Sequence, residues 1–403
     1  MTGGRIEDGG STPKLWDKGY RLNEQVEEFT VGEDYLLDQR LVTYDCLASM
    51  AHAKTLGRAG ILEEEEVEQL LEELERIIQL DQAGEFPLLP EHEDCHTAIE
   101  NHLTRELGEL GEKIHTGRSR NDQVLAALRL YYKVELAKCK RLMAELVMYL
   151  EQFAARYGQV ELPGYTHTRK AMPSSVELWA ESFVDSMDDN LRLIDVALDL
   201  VDQSPLGTGA GYGVPLDLDR EYTAGLLEFE RVQQNPIYTQ NSRGKFEATI
   251  LHALTQVLFD LNKMATDLIV FSLPELGYFE LPEELCTGSS IMPQKRNPDV
   301  LELVRGRYHL VVSFEFQVKN VMANLLSGYN RDLQLTKGPV MRGFDVTKGS
   351  LSVMALVFDS LRINADRCEA GLTQEVYATE RVYELVKKGV PFREAYRRVC
   401  EQQ

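Results

Sequence analysis

The stretch Gly288-Ser289-Ser290-Ile291-Met292-Pro293-Gln294-Lys295-Arg296-Asn297-Pro298 places two hydroxyls and two cations within eleven residues. Gly and Ser make its first half permissive, and Met292-Pro293 interrupts it with a stiff apolar step. Asn297 is a good N-cap residue and Pro298 suits a first helical turn, so a helix is expected to start there. A helix N-terminus favours anions, and two cations beside it strengthen that preference. The chemistry on offer is a site for a carboxylate or phosphate with a hydroxyl close enough to react. A flexible surface loop in front of a capped helix would use the same residues, and spacing alone leaves both readings open.

Three further joins are richer in polar residues than connection requires. Lys113 to Gln123 holds Ser119, Arg120, Asn121 and Asp122 after Arg118. Asn121 or Asp122 can cap a helix, while Arg118 and Arg120 are fork-shaped carboxylate binders. Leu162 to Pro173 carries Thr166-His167 and then a basic pair. His167 titrates near neutral pH and can move protons, although a lone loop histidine is also an ordinary surface residue. Ser327 to Lys337 adds Tyr329, Asn330, Arg331, Gln334 and Lys337, the last two sharing a face if helical. Glu91-His92-Glu93-Asp94-Cys95-His96 brings two histidines one turn apart, but no third ligand stands at a characteristic spacing. A helix from about Glu93 to Leu107 accounts for that segment.

These joins need long elements to hold them. Apolar residues recur in steps of three and four from Leu125 to Phe153, Val176 to Val201, Leu251 to Leu268, Val304 to Leu325 and Val340 to Leu361. Five such stripes argue for an elongated helical bundle. Val124, Ala127 and Tyr131 add a second apolar face beside the first stripe, which points to packing between subunits. Shorter helices are expected over 36–57, 63–82 and 393–403, and no alternating run is long enough for a core sheet.

Composition narrows the partners. With 43 Lys plus Arg against 65 Asp plus Glu, the net charge is −22, which disfavours nucleic acid and anionic membranes. The six cysteines are scattered and form no C-x-x-C pair, as expected of free thiols in the cytoplasm. Met1 to Lys14 is polar and Gly-rich, reads as a disordered start, and lacks the apolar segment of a signal peptide. No run approaches a membrane span.

The Gly288–Pro298 stretch resembles the signature of the fumarase/aspartase superfamily. His115 to Val124, Pro163-Gly164-Tyr165-Thr166-His167 and Gly328 to Gln334 resemble its argininosuccinate lyase branch, which includes the delta-crystallins. Ser204-Pro205-Leu206-Gly207 and Pro391-Phe392-Arg393-Glu394-Ala395 are similar too, so the resemblance runs from about Leu15 to the end.

The resemblance implies a mainly α, three-domain fold with a central five-helix bundle. Its parts would be a helical domain over 1–117, the bundle over 118–366, and a small, shortened helical domain over 367–403. It implies a homotetramer with active sites shared between subunits, and no metal or organic cofactor. The implied reaction is anti β-elimination of argininosuccinate to arginine and fumarate. Ser289 would be the base, Lys295 the supplier of positive charge, and His167 the orienting or proton-transfer group. Arg120, Asn121 and Thr166 would hold the succinyl part, Tyr329, Gln334 and Lys337 the rest, and Asn297 and Ser119 would also bind substrate. An adenylosuccinate-type lyase or a non-catalytic crystallin-like protein is the alternative. The chain departs from the family where Ser242-Arg243-Gly244-Lys245-Phe246 replaces Ser-Asp-Arg-Asp-Phe, and where Thr168-Arg169 replaces a common Leu-Gln.

Overall fold

The structure is a computed structural model that describes residues 23–401. The polar start, Met1 to Lys14, lies outside them. In chain order the first helices are α1 (Glu24–Val31), α2 (Asp34–Asp38), α3 (Val42–Arg58), α4 (Glu64–Gln82), α5 (Cys95–Leu107) and α6 (Glu109–Lys113). The long α7 (Arg120–Tyr157) leads into a hairpin, β1 (Glu161–Thr166) and β2 (Arg169–Ser175), and then α8 (Val176–Val201). Next come β3 (Gln203–Ser204), α9 (Arg220–Leu226), β4 (Arg231–Val232), α10 (Pro236–Asn241) and α11 (Lys245–Phe271). After them stand β5 (Phe279–Glu280), β6 (Thr287–Gly288), β7 (Arg296–Asn297), α12 (Asp299–Val321) and α13 (Lys337–Ser360). The chain closes with β8 (Arg362–Ile363), α14 (Ala365–Gly371), α15 (Ala378–Lys387) and α16 (Phe392–Cys400).

The five periodic stripes are α7, α8, α11, α12 and α13, so the mainly helical expectation holds. Short helices start where an Asx side chain accepts an orphan N–H: Asp94 from Thr97, Asp219 from Tyr222, Asn235 from Tyr238 and Asn364 from Arg367. The expected helix over 36–57 is two helices, α2 and α3, separated at Gln39 to Leu41. Among the described residues, no helix is long and apolar enough to cross a membrane.

The chain divides into two compact units. Among the described residues, the first comprises 23–136, Val196–Ile250 and Phe316–Met341; the second comprises Ala137–Asp195, Leu251–Glu315 and 342–401. In the first unit, Ala48, Ala51, Ala126 and Ala224 pack with Leu206 and Phe229, and the small side chains let helices approach closely. The second apolar face of α7 is covered within this unit: Ala127 and Tyr131 are buried, and Tyr131 meets Tyr44 edge-on with ring centroids 5.7 Å apart. That face therefore gives no argument for a partner subunit, contrary to the expectation from sequence.

The second unit has an aromatic core. Phe153 lies within 6.5 Å, centroid to centroid, of Trp179, Phe279 and Phe358, each at a steep angle. Such edge-to-face packing adds to the burial term. The hairpin of β1 and β2 was not expected. Pro163 pairs with Pro173 and a bulge follows at Gly164, features that hide a strand from pattern reading. Two strands have only edges, so neither proline costs a ladder bond with a third strand. The turn between them, His167-Thr168, has φ of 53° and 60°, the left-handed pair that a two-residue hairpin turn demands.

Phe153→Ala should cost about 3–5 kcal/mol in urea unfolding, the range for emptying a packed aromatic site. A loss below about 1 kcal/mol would show that the ring is not part of a tight core.

Candidate active site

In the first unit, α2, the start of α5, the start of α7 and the segment before α13 enclose a cavity of about 190 Å³. Arg120, Asn121, Tyr329, Gln334 and Lys337 all line it, so five of the residues expected to hold substrate are brought together. They lie 217 residues apart in sequence at the extremes (337 − 120).

Ser119, and neither Asn121 nor Asp122, caps α7. The Ser119 carbonyl accepts the Gln123 N–H at 3.0 Å, and its hydroxyl accepts the Asn121 N–H at 3.3 Å. Asp122 closes the box by accepting the Ser119 N–H at 2.8 Å. Its other oxygen accepts the Gly209 N–H at 2.8 Å, tying the start of α7 to a distant loop. Burial pushes the Asp122 carboxyl up to about 6.

Arg120 is held from one side. Its guanidinium donates to Glu100 at 3.1 Å and more weakly to Thr97 and Gln123 at 3.4 Å. Glu100 also meets His115 at 2.9 Å. Burial works against the charge on Glu100, but His115, Arg120 and Arg118 outweigh it and hold the carboxyl below its usual range. Gln334 lies in the 3-10 turn Arg331–Thr336 and donates to the Thr30 carbonyl at 3.3 Å, and Arg331 donates to the same carbonyl at 2.8 Å.

Lys337 is 4% exposed and bonds Asp34 at 2.8 Å, with Asp38 closer still. Burial opposes its charge, yet the two carboxylates outweigh that and raise its pKa. Beside it, His96 pairs with Asp45 at 3.1 Å, both buried. Burial disfavours either charge, but each offsets the other's loss of water. His96 is raised and Asp45 lowered, each shift favouring the charged form that its partner stabilises. Asp38, Cys95 and His96 bring ligand-type atoms within 4.8 Å of one another. The Asp38 carboxylate already meets the Lys337 ammonium, and burial raises the Cys95 thiol well above its ordinary value, so the cluster reads as an internal ion network. His92 spends Nδ1 on the Leu89 N–H at 3.1 Å. Asp34 and Asp38 escaped sequence reading because their partner Lys337 is distant in the chain, and the segment holding His96 did not point to Asp45, some fifty residues earlier.

Thr166, His167, Ser289, Lys295 and Asn297 belong to the second unit. His167 and Thr166 stand at the tip of the hairpin, exposed. The Ser289 loop is drawn together at its base by β6 pairing with β7, Thr287 opposite Asn297 and Gly288 opposite Arg296. Thr287 also donates to Asp299, and Arg296 pairs with Glu283 at 2.5 Å. Asn297 is therefore a strand residue whose amide reaches the Gly288 carbonyl at 3.5 Å. The N-cap of α12 is Pro298, whose carbonyl accepts from Leu301 and Glu302 at 2.9 and 3.2 Å. Just past β6 the Ser289 hydroxyl oxygen accepts backbone N–H groups from Met292 at 3.2 Å and Ile291 at 3.4 Å. Two donors aimed at one oxygen favour its anionic form.

Residues 22–312 match the family model described as "Lyase". The argininosuccinate lyase of Thermotoga neapolitana is 56% identical over 389 residues, 96% of this chain and 98% of that protein. The argininosuccinate lyase of Sorangium cellulosum is 45% identical, covering 96% and 90% of the two chains. Among solved structures, an EDDS lyase variant with bound fumarate superposes with a TM-score of 0.79 at 23% identity, over 93% of this chain and 74% of that one. The class II fumarase of Schistosoma mansoni gives 0.76 at 16% identity, over 92% and 90%. At those identities the two structures speak for the fold.

The cavity's surroundings carry a pH signature. His52 Nε2 meets the Thr116 carbonyl at 2.8 Å, and burial, helped by the Arg118 charge, pushes its pKa down to about 3 from an ordinary 6.5. Below about 6.5 the unfolded histidine takes a proton that the folded one refuses, so acidification toward about 3 removes stability. His52→Gln, which can still donate to Thr116, should flatten the fall of melting temperature with acidity across that window. Superimposable slopes for the two proteins would discard the assignment.

Proposed function

The chain belongs to the argininosuccinate lyase family, and from that premise we propose that Ser289 is the base of a β-elimination performed on the substrate's succinyl group. The enzyme cleaves argininosuccinate to arginine and fumarate, a step of arginine biosynthesis. The Ser289 alkoxide removes a proton from the succinyl carbon next to a carboxylate. The electron pair left behind spreads onto that carboxylate, then forms the double bond of fumarate as the carbon–nitrogen bond breaks on the opposite face. The departing guanidine nitrogen regains a proton, with His167 orienting it or relaying that proton. Nothing is oxidised or reduced.

The observation that carries this assignment is the pair of backbone N–H groups on the Ser289 oxygen. A serine hydroxyl is a weak base, and donors already in place lower the cost of its alkoxide. Lys295 supplies further positive charge to the alkoxide or the carbanion. Arg120, Asn121 and Thr166 bind the succinyl carboxylates, Tyr329, Gln334 and Lys337 bind the rest, and Asn297 and Ser119 also bind substrate. The shared cavity supports the roles of Arg120, Asn121, Tyr329, Gln334 and Lys337.

The working form is a homotetramer whose sites draw residues from several subunits. Leu178, Leu303 and Leu310, each at least half exposed on long helices, support an oligomer. The cytoplasm is its place, a reading supported by six free cysteines.

Ultraviolet absorbance of fumarate, followed after adding argininosuccinate with adenylosuccinate in parallel, tests the reaction. Release from argininosuccinate alone is expected. Ser289→Ala should cut turnover about a hundredfold to ten-thousandfold, and near-normal activity would remove Ser289 as the base. Mixing Ser289→Ala with His167→Asn subunits should recover activity; no recovery under conditions of subunit exchange would argue that each site comes from one chain.

A further inference from the structure

Arg243 is the charged side chain of this cavity that the fold leaves unspent. It lines the cavity wall beside Arg120 and Tyr329 and is 7% exposed. Its guanidinium makes no hydrogen bond or ion pair among the described residues, and Nη1 is shut from solvent without a partner. Its one side-chain contact of note is the Tyr329 ring, whose centroid lies 5.0 Å away. Buried guanidiniums ordinarily spend their donors on carboxylates or carbonyls, because an unpaired buried charge is costly.

The charges behind it are committed elsewhere. Arg129 donates to the Gln203 carbonyl at 2.6 Å and to Gln233 at 2.5 Å. Glu247 accepts the Gly244 N–H at 2.6 Å. Two guanidiniums therefore stand near one carboxylate, and Arg243 gets no direct share of it. The backbone that follows is tightly constrained. Gly244 has φ of 75°, and a Cβ there would fall 2.5 Å from Met322 Sδ, so the turn after Arg243 requires glycine. The Arg-Gly-Lys run that departs from the family pattern thus places a cation at the cavity wall, and a glycine immediately after it holds the turn.

We infer that Arg243 is a substrate-binding residue of this enzyme, supplying its unspent guanidinium donors to a carboxylate of the substrate while the Tyr329 ring fixes the guanidinium plane. The inference rests on the proposed reaction for the identity of the ligand, a molecule with three carboxylates. Both products keep carboxylates, fumarate two and arginine one, so either product reports on the residue.

Product binding, followed by calorimetry on the full-length protein, tests the inference without depending on turnover. The wild type should bind fumarate or arginine, and Arg243→Gln should weaken one of them about tenfold to a hundredfold. Weaker fumarate binding assigns the succinyl end, and weaker arginine binding the amino-acid end. Arg243→Lys, which keeps the charge but not the fork, should fall between them and also guards against a folding defect in the glutamine variant. In steady state the loss should appear as a raised KM with kcat nearly kept. Equal affinities for wild type and Arg243→Gln would overturn the inference, as would a wild type that binds neither product. Absence of fumarate release by a wild type that does bind products would instead count against the proposed reaction.

Discussion

The first unit is organised around one buried ammonium. Lys337, at the first position of α13, sits between Asp34 and Asp38 on α2, about three hundred residues earlier in the chain. Asp38 also accepts the Cys95 N–H at 3.2 Å, so the same carboxylate helps start α5. Three elements that carry the cavity wall are thereby tied to one charge. Such a cluster gives little net stability, because desolvation consumes most of the attraction. Removing one member costs far more, since a buried charge is then left alone. The constraint is therefore one of geometry: the cavity has its shape because the ions must stay together.

The helices were legible because their periodicity is long and regular, and the buried side chains of α7 from Leu125 to Phe153 follow the stripe read from sequence. Helix starts were legible in kind but not always in place. Ser119 caps α7, one position before Arg120, because Asp122 reciprocates three residues on, whereas Asn121 and Asp122 are equally good cap residues when seen alone. The hairpin before α8 was illegible for a different reason. It carries a proline in each strand and no glycine at its turn, so the usual signals are missing.

The cavity was legible in several residues that line it and opaque in what supports them. Arg120, Tyr329 and Gln334 stand in polar joins that nothing structural demands. Glu100, Asp45 and His96 stand inside ordinary helical sequence, and only the fold reveals that Glu100 holds Arg120 or that His96 pairs with Asp45. A buried polar residue looks like a surface one until its partner is known. The Ser289 loop lies between these cases: its residue types were plain, while the two N–H groups on its oxygen come from a local turn that no spacing rule supplies.

The turn at His167 and Thr168 has one more implication. Threonine branches at Cβ and is among the worst residues for left-handed backbone, and the 2.6 Å bond from its hydroxyl to the His167 carbonyl offsets only part of that cost. Glycine or asparagine there would relax the chain, so those two replacements run against the usual destabilising direction of mutation. At this turn the two strands, and not the preference of the threonine, set the backbone conformation.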